Sequence, residues 1–298
     1  MKKILLIITI VFCIFQMIVL ATEWDVSTAT YVGEGSAAAE VANLYGIHIK
    51  SDGAKMYATE VMSYIFQYTL TTPWLASTMD YDTKSYDTST ELSLGGRLRG
   101  IAMKPDGTEV YVCDNLHSVI QYTLSTPWDI STCGNAKEYN PQAQSWNPCG
   151  IFMRSDGLKM YILDSGTDDA WQYTLSSAWN VTTASYDAGK TFSFTNEEGS
   201  AIGIFFKTDG TKVYVLGAEN DTVYQYSLDP AWDISTANYD EVFKSVTVHE
   251  DVPGPLFMKM DDGTKMYVGG VNTEEVTEYS MAAEEEEAVN VINMGINF

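Results

Sequence analysis

Three carboxylates hold one repeated place in this chain: Glu60, Asp114 and Asp164 each stand three residues past a tyrosine, at Tyr57, Tyr111 and Tyr161. Hard oxygen ligands of this kind suit calcium or a similar cation. Nearby segments add Tyr45, Arg97, Arg99, Trp146, Asn147, Glu197, Glu198, Glu250 and Asp251, a mixture of charged, aromatic and amide groups fit to contact a ligand. In a chain with 40 acidic residues, however, carboxylates reach such places without any ligand to hold. The histidines are His48, His117 and His249, and none has the spacing of a zinc site or the company of a nucleophilic triad. Five tryptophans, at Trp24, Trp74, Trp128, Trp179 and Trp232, each precede a turn rich in Ser and Thr. They offer sugar-stacking faces on one reading and loop staples on the other, and the turn chemistry favours the staple.

The elements that position these groups come from a repeat. Asp-Gly pairs begin at Asp52, Asp106, Asp156, Asp209 and Asp262, spaced 54, 50, 53 and 53 residues apart. A strand with a first tyrosine (Tyr57, Tyr111, Tyr161, Tyr214, Tyr267) follows each pair, and a second strand carries Tyr68, Tyr122, Tyr173, Tyr226 or Tyr279. After each tryptophan comes a third tyrosine, at Tyr31, Tyr86, Tyr139, Tyr186 or Tyr239. Asp-Gly between two apolar runs signals a tight hairpin, and four short strands in about fifty residues is the period of a propeller blade. The fourth unit predicts strands at Gly203 to Lys207, Lys212 to Leu216, Thr222 to Leu228 and Tyr239 to Val248. Trp24 has no hairpin before it, and the hairpin at Asp262 has no tryptophan segment after it. The two ends therefore complete one another: Thr30 to Val41 is expected as the outer strand of the last blade, closing an all-β, five-bladed propeller with four antiparallel strands per blade.

The Gly-Ile-x-x-x-x-Asp-Gly-x-Lys-Met-Tyr strands and the Gln-Tyr-Thr-Leu-Ser-Thr-Pro-Trp-Asp-Ile-Ser-Thr segments resemble the repeats of the YVTN/NHL-like propeller superfamily. They are most similar to repeats of phage virion and bacterial extracellular proteins. The resemblance spans nearly all of Thr22 to Ser280 and implies the fold far more than an activity, because propellers host lectins, lactonases, hydrolases and docking platforms. Lactonase-like members hold a metal at an acidic channel mouth, the role that Glu60, Asp114 and Asp164 would then fill. Cys113 and Cys149 fall on that same face of neighbouring blades, so a bridge between them is the expected pairing, with Cys133 on the opposite face.

Met1, Lys2 and Lys3 precede an apolar run ending at Leu20 and a small-residue exit at Ala21, the order of a signal peptide over residues 1–21. Export is expected, with no membrane span once the signal is cleaved. Residues 22–281 form the propeller, and 282–298, which begin with acidic residues at Glu284 to Glu287, form a solvated tail. Without Lys2 and Lys3 the exported part keeps 15 basic against 40 acidic residues, a balance that repels nucleic acid. The expected partner is a protein or a glycan. The function expected from the sequence is a non-enzymatic secreted or surface module for binding, adhesion or structure. Its alternatives are a glycan binder with repeated sites and a lactonase-like, metal-dependent hydrolase at the channel mouth.

Overall fold

A computed structural model of the chain describes residues 23–89, 97–116, 118–249 and 252–281. The signal segment, the acidic tail, His117, Glu250 and Asp251 lie outside the described residues.

Five four-stranded antiparallel sheets form the five expected blades. The first strands, β2 (Leu44–Ile49), β6 (Leu98–Met103), β10 (Pro148–Met153), β14 (Ala201–Phe206) and β18 (Pro253–Met258), touch one another round the axis. The second strands are β3 (Lys55–Glu60), β7 (Glu109–Asp114), β11 (Lys159–Asp164), β15 (Lys212–Gly217) and β19 (Lys265–Gly270). The third are β4 (Tyr64–Leu70), β8 (Ser118–Leu124), β12 (Asp169–Leu175), β16 (Thr222–Ser227) and β20 (Glu275–Ser280). The outer strands are β5 (Met79–Asp87), β9 (Cys133–Tyr139), β13 (Ala184–Ser193), β17 (Asn238–Ser245) and, for the last blade, β1 (Thr30–Ser36). β1 pairs with β20 from Thr30 opposite Ser280 to Ser36 opposite Glu275, so the two ends of the chain close the ring as expected, with the strand ending before Val41.

Five blades make a tight ring, and glycine permits the closeness. A Cβ on Gly46 would run into the carbonyl of Arg99 on the next blade, and one on Gly100 would meet the carbonyl of Cys149 in the same way. Between the blades lie the tyrosines. Ten of the twelve largest fully buried side chains are the first and second tyrosines of the repeat, so this residue type forms the core rather than a binding surface.

One strap recurs at every blade junction. The hydroxyls of Tyr57, Tyr111, Tyr161, Tyr214 and Tyr267 donate to the backbone carbonyls of Trp128, Trp179, Trp232, Trp24 and Trp74, one blade further on, at 2.6 to 2.9 Å. Each tryptophan sits at φ between 64° and 68°, a left-handed conformation that an aromatic residue adopts only when its surroundings hold it there. Its ring covers the glycine of the Asp-Gly turn, and that glycine has no Cβ to collide with it. After the tryptophan comes a single turn of 3-10 helix, Ile130–Thr132 in the second blade, whose first N–H is bonded across the junction to Gln67 Oε1 at 2.9 Å. Gln121, Gln172 and Gln225 do the same for Val181, Ile234 and Val26, and Glu278 does so for Ala76.

One detail of the repeat differs from the sequence reading. In the first blade Tyr81 faces Tyr68, the place held by Tyr186 opposite Tyr173 and by Tyr239 opposite Tyr226. Tyr86 is three pairs away opposite Ile65, beyond the bulge between the two places, and Tyr139 of the second blade likewise stands opposite Val119 instead of Tyr122.

Removing the strap hydroxyl in Tyr161→Phe orphans the Trp232 carbonyl and is expected to cost about 1 to 3 kcal/mol in urea unfolding. The Tyr173 hydroxyl is buried without a hydrogen-bond partner among the described residues, so Tyr173→Phe is expected to cost far less. Equal losses would show that the strap contributes nothing of its own.

Candidate functional site

The face onto which the second strands run carries the carboxylates singled out above. Asp164 is fully buried, and its oxygens accept from Ser145 Oγ, Asn147 N, Gly166 N and Thr167 N at 2.7 to 3.1 Å. Burial alone would raise its pKa, but these bonds to the ionised form hold it below the usual carboxylate range. Asp114 Oδ1 accepts from Leu116 N and Ser118 N, and Glu60 Oε2 from Ala42 N, with burial pushing the Glu60 carboxyl up. In the fourth blade, where Gly217 has no carboxylate, the Glu198 side chain fills the space and accepts from Ser200 N and Glu219 N at 3.0 Å. In four of the five blades a carboxylate thus ties loop to blade, and the three expected metal ligands are spent separately. Among the described residues no group of three or more His, Cys, Asp or Glu is placed to hold a metal ion. The calcium site expected from Glu60, Asp114 and Asp164 therefore has no shared centre to form around.

The other expected contact residues are divided. Asn147 serves its own loop, donating from Nδ2 to Ser165 Oγ at 2.8 Å, while Trp146 is 61% exposed beside it. Arg97 is exposed and its N–H bonds Asn115 Oδ1, whereas the Arg99 guanidinium lies 3.9 Å over the Tyr45 ring. Cys113 and Cys149 are buried free thiols: Cys149 Sγ lies 3.4 Å from the carbonyls of Leu163 and Ala201, and burial raises its pKa to about 12. Each thiol is thus engaged with backbone instead of forming the expected bridge, and Cys133 is in no disulfide either.

The opposite face holds a pocket that the sequence reading missed. On the axis, at the end where the Asp-Gly turns and tryptophans lie, a funnel of about 550 Å³ opens, counting its mouth. Its rim carries the hydroxyl residues Ser51, Ser155 and Thr208, and its wall Met103, Met153, Trp128, Trp179 and Trp232. Its floor is an aromatic ring about the axis. Phe152 meets Phe205, Phe205 meets Phe257 and Phe257 meets His48, each pair edge to face at 5.3 Å between centroids. Each of these side chains comes from the first strand of its blade, opposite the first tyrosine: His48 opposite Tyr57, Phe152 opposite Tyr161, Phe205 opposite Tyr214, Phe257 opposite Tyr267. The second blade places Ala102 there, opposite Tyr111.

The floor therefore has one polar member. His48 is 7% exposed, and burial lowers its pKa to about 3, so its imidazole is uncharged and one nitrogen remains able to accept a proton. The turns that surround the funnel are balanced in charge. Lys50, Lys104, Arg154, Lys207 and Lys259 pair with Asp52, Asp106, Asp156, Asp209 and Asp262, one pair per blade. At Asp209 burial would raise the pKa, yet the bonds from Lys207 and Thr211 draw it down to about 2. Three tryptophans sharing one funnel, with their rings packed on turn glycines, also replace the expectation of one sugar platform per blade.

No protein-family model matches the chain, and no curated protein does. Solved structures similar to it include the periplasmic gluconolactonase PpgL of Pseudomonas aeruginosa, at 12% identity and a TM-score of 0.48, over 79% of this chain and 65% of that one. A candidate 6-phosphogluconolactonase of Bacteroides uniformis is 11% identical with a TM-score of 0.43, over 68% and 55%. The propeller domain of Cps50 (Swd1) from Myceliophteria thermophila is 8% identical with a TM-score of 0.46, over 85% and 99%. The chain thus spans less than two thirds of the length of these two lactonase structures. At such identities the likeness is one of propeller fold alone. The expectation of a non-enzymatic adhesion or structural module is corrected here: the similar structures include lactonases, which the sequence reading gave as an alternative, and what this chain does is argued from the funnel below.

His48 gives a pH signature. In the unfolded chain an imidazole protonates near pH 6.5, whereas His48 in the fold stays neutral down to about 3. Between those values the unfolded state binds the extra proton, so the His48 contribution falls as pH drops, by up to about 1.4 kcal/mol per pH unit. His48→Phe, which copies three other blades, is expected to gain stability relative to the native protein as denaturation is repeated at falling pH. Parallel curves for the two proteins would show that His48 is not held neutral.

Proposed function

We propose that the protein takes a small, uncharged, hydroxylated ring of the sugar-lactone class into the axial funnel and opens it by hydrolysis. The observation that carries this reading is the funnel itself: flat aromatic and thioether walls for a ring, hydroxyls at the rim, and one neutral imidazole at the floor. A closed ring with polar edges and apolar faces matches such a lining.

The chemistry required is modest. Water adds to the lactone carbonyl carbon, the bond from that carbon to the ring oxygen breaks, and the product is an open-chain hydroxy acid. The His48 nitrogen accepts a proton from the attacking water and returns it to the departing ring oxygen, which leaves as a hydroxyl. Its depressed pKa makes it a weak base in the empty site. Negative charge growing on the carbonyl oxygen beside it would favour the imidazolium and raise its basicity as the reaction proceeds. No metal takes part in this scheme, in keeping with carboxylates spent on loop backbone. Export through the N-terminal segment is part of the proposal and puts the reaction outside the cell.

The test follows acid release from δ-gluconolactone near neutral pH, with and without the purified protein. Hydrolysis faster than in buffer is expected, and His48→Phe should lower it at least tenfold while the fold is kept. A rate no different from buffer, or a His48→Phe variant as active as the native protein, would overturn the proposal.

A further inference from the structure

The floor of the funnel is a ring of five equivalent positions with one vacancy. Four positions carry flat rings, His48, Phe152, Phe205 and Phe257, in successive edge-to-face contact. The fifth carries the methyl group of Ala102. Its blade stands between those of His48 and Phe152, since β6 packs against β2 on one side and β10 on the other. His48 and Phe152 thus have an aromatic neighbour on one side and Ala102 on the other. Ala102, His48, Phe152, Met103 and Met153 border one axial space, and His48, Met103, Phe152 and Met153 also line the funnel above it.

We infer that the vacancy at Ala102 is the deep subsite of the funnel and that Ala102 determines which ligands enter it. The inference rests on the reading of the funnel as a sugar-lactone site and adds where the ring sits. A missing phenyl leaves room for the edge of one six-membered ring. That ring takes the fifth place in the aromatic circle, with Phe152 flanking one side and the His48 imidazole flanking the other, where a carbonyl or hydroxyl can meet the imidazole nitrogen. The subsite selects single, unbranched rings: a substituent on the inserted edge would strike the isoleucines below, Ile47, Ile101 and Ile151, which narrow the axis. Monosaccharide δ-lactones fit this rule, and longer sugars enter only by a terminal ring.

Ala102→Phe tests the inference directly, because the introduced side chain is the one three other blades already carry. The probe is gluconolactam, a ring analogue that resists opening, and binding is read by tryptophan fluorescence beside acid release from δ-gluconolactone. The native protein is expected to bind the lactam, Ala102→Phe to lose at least tenfold in affinity and in kcat/KM with an unchanged or raised melting temperature, and Ala102→Val to fall between them. Should Ala102→Phe fail to fold, the Ala102→Val step alone decides, and affinity equal to the native protein rejects the subsite. A native protein that hydrolyses the lactone while the variants do so equally well overturns this inference and leaves the proposed function standing. A native protein that neither binds the lactam nor accelerates hydrolysis overturns the function, and the subsite with it.

Discussion

The structure depends on one hydrogen bond made five times, from the first tyrosine of a blade to the carbonyl of the tryptophan one blade on. It fixes three things together. The tyrosine ring is held between sheets, the tryptophan is kept at a positive φ that it would not otherwise adopt, and the indole is laid over a glycine that only a tight Asp-Gly turn provides. Every blade is then braced by its neighbour through groups that are out of water, where a partnerless carbonyl is costly. Such a ring has no natural place to stop, and the chain solves this by giving its N-terminal strand to the last blade. Trp24, just ahead of that strand, accepts the bond from Tyr214, and Tyr267 of the last blade bonds Trp74 of the first, so the strap runs unbroken through the closure.

Five-fold closure then sets what the axis can be. The first strands approach closely enough that glycines are required where they meet, and side chains projecting along the axis crowd into an aromatic floor. The two faces of the ring consequently differ in kind. On one, buried carboxylates bind backbone N–H groups and hold loops to blades. On the other, tryptophans already committed to the strap leave one side of their rings toward the axis, and a pocket results from architecture that serves stability first.

Fold and closure were legible in the sequence because they rest on residues that recur: the Asp-Gly pairs, three series of tyrosines, five tryptophans, and a mismatch in phase between the two ends. Beyond the bulge in the outer strands the same reading slipped: Tyr86 was assigned the place that Tyr81 holds, and Tyr139 stands opposite Val119, not Tyr122. The site was poorly legible for two physical reasons. Glu60, Asp114 and Asp164 look alike as ligands or as backbone caps, and the difference lies in N–H groups supplied by loops that the repeat does not predict. The funnel, in turn, is made of strand residues that read as core, and its distinguishing marks are single departures within one column, His48 and Ala102 among phenylalanines. A search for irregularity in loops passes over a change of residue type inside a regular strand.

Charge narrows the class of ligand further. The chain carries a formal net charge of −23, yet in every blade a basic residue, Lys50, Lys104, Arg154, Lys207 or Lys259, immediately precedes in the chain a residue that lines the funnel. If these five cations were free, the funnel would be an anion trap in an acidic protein, suited to a phosphorylated sugar. They are not free, because each is paired with the aspartate of its own Asp-Gly turn, and Lys50, Arg154 and Lys259 also lie over the rings of Trp128, Trp232 and Trp74. An incoming phosphate would have to break such pairs or enter without a partner, against the field of the surrounding carboxylates. A neutral ring meets no such barrier. On the proposed reading, these turns favour an unphosphorylated sugar lactone over its phosphate ester, because they use up their positive charge in building the blades.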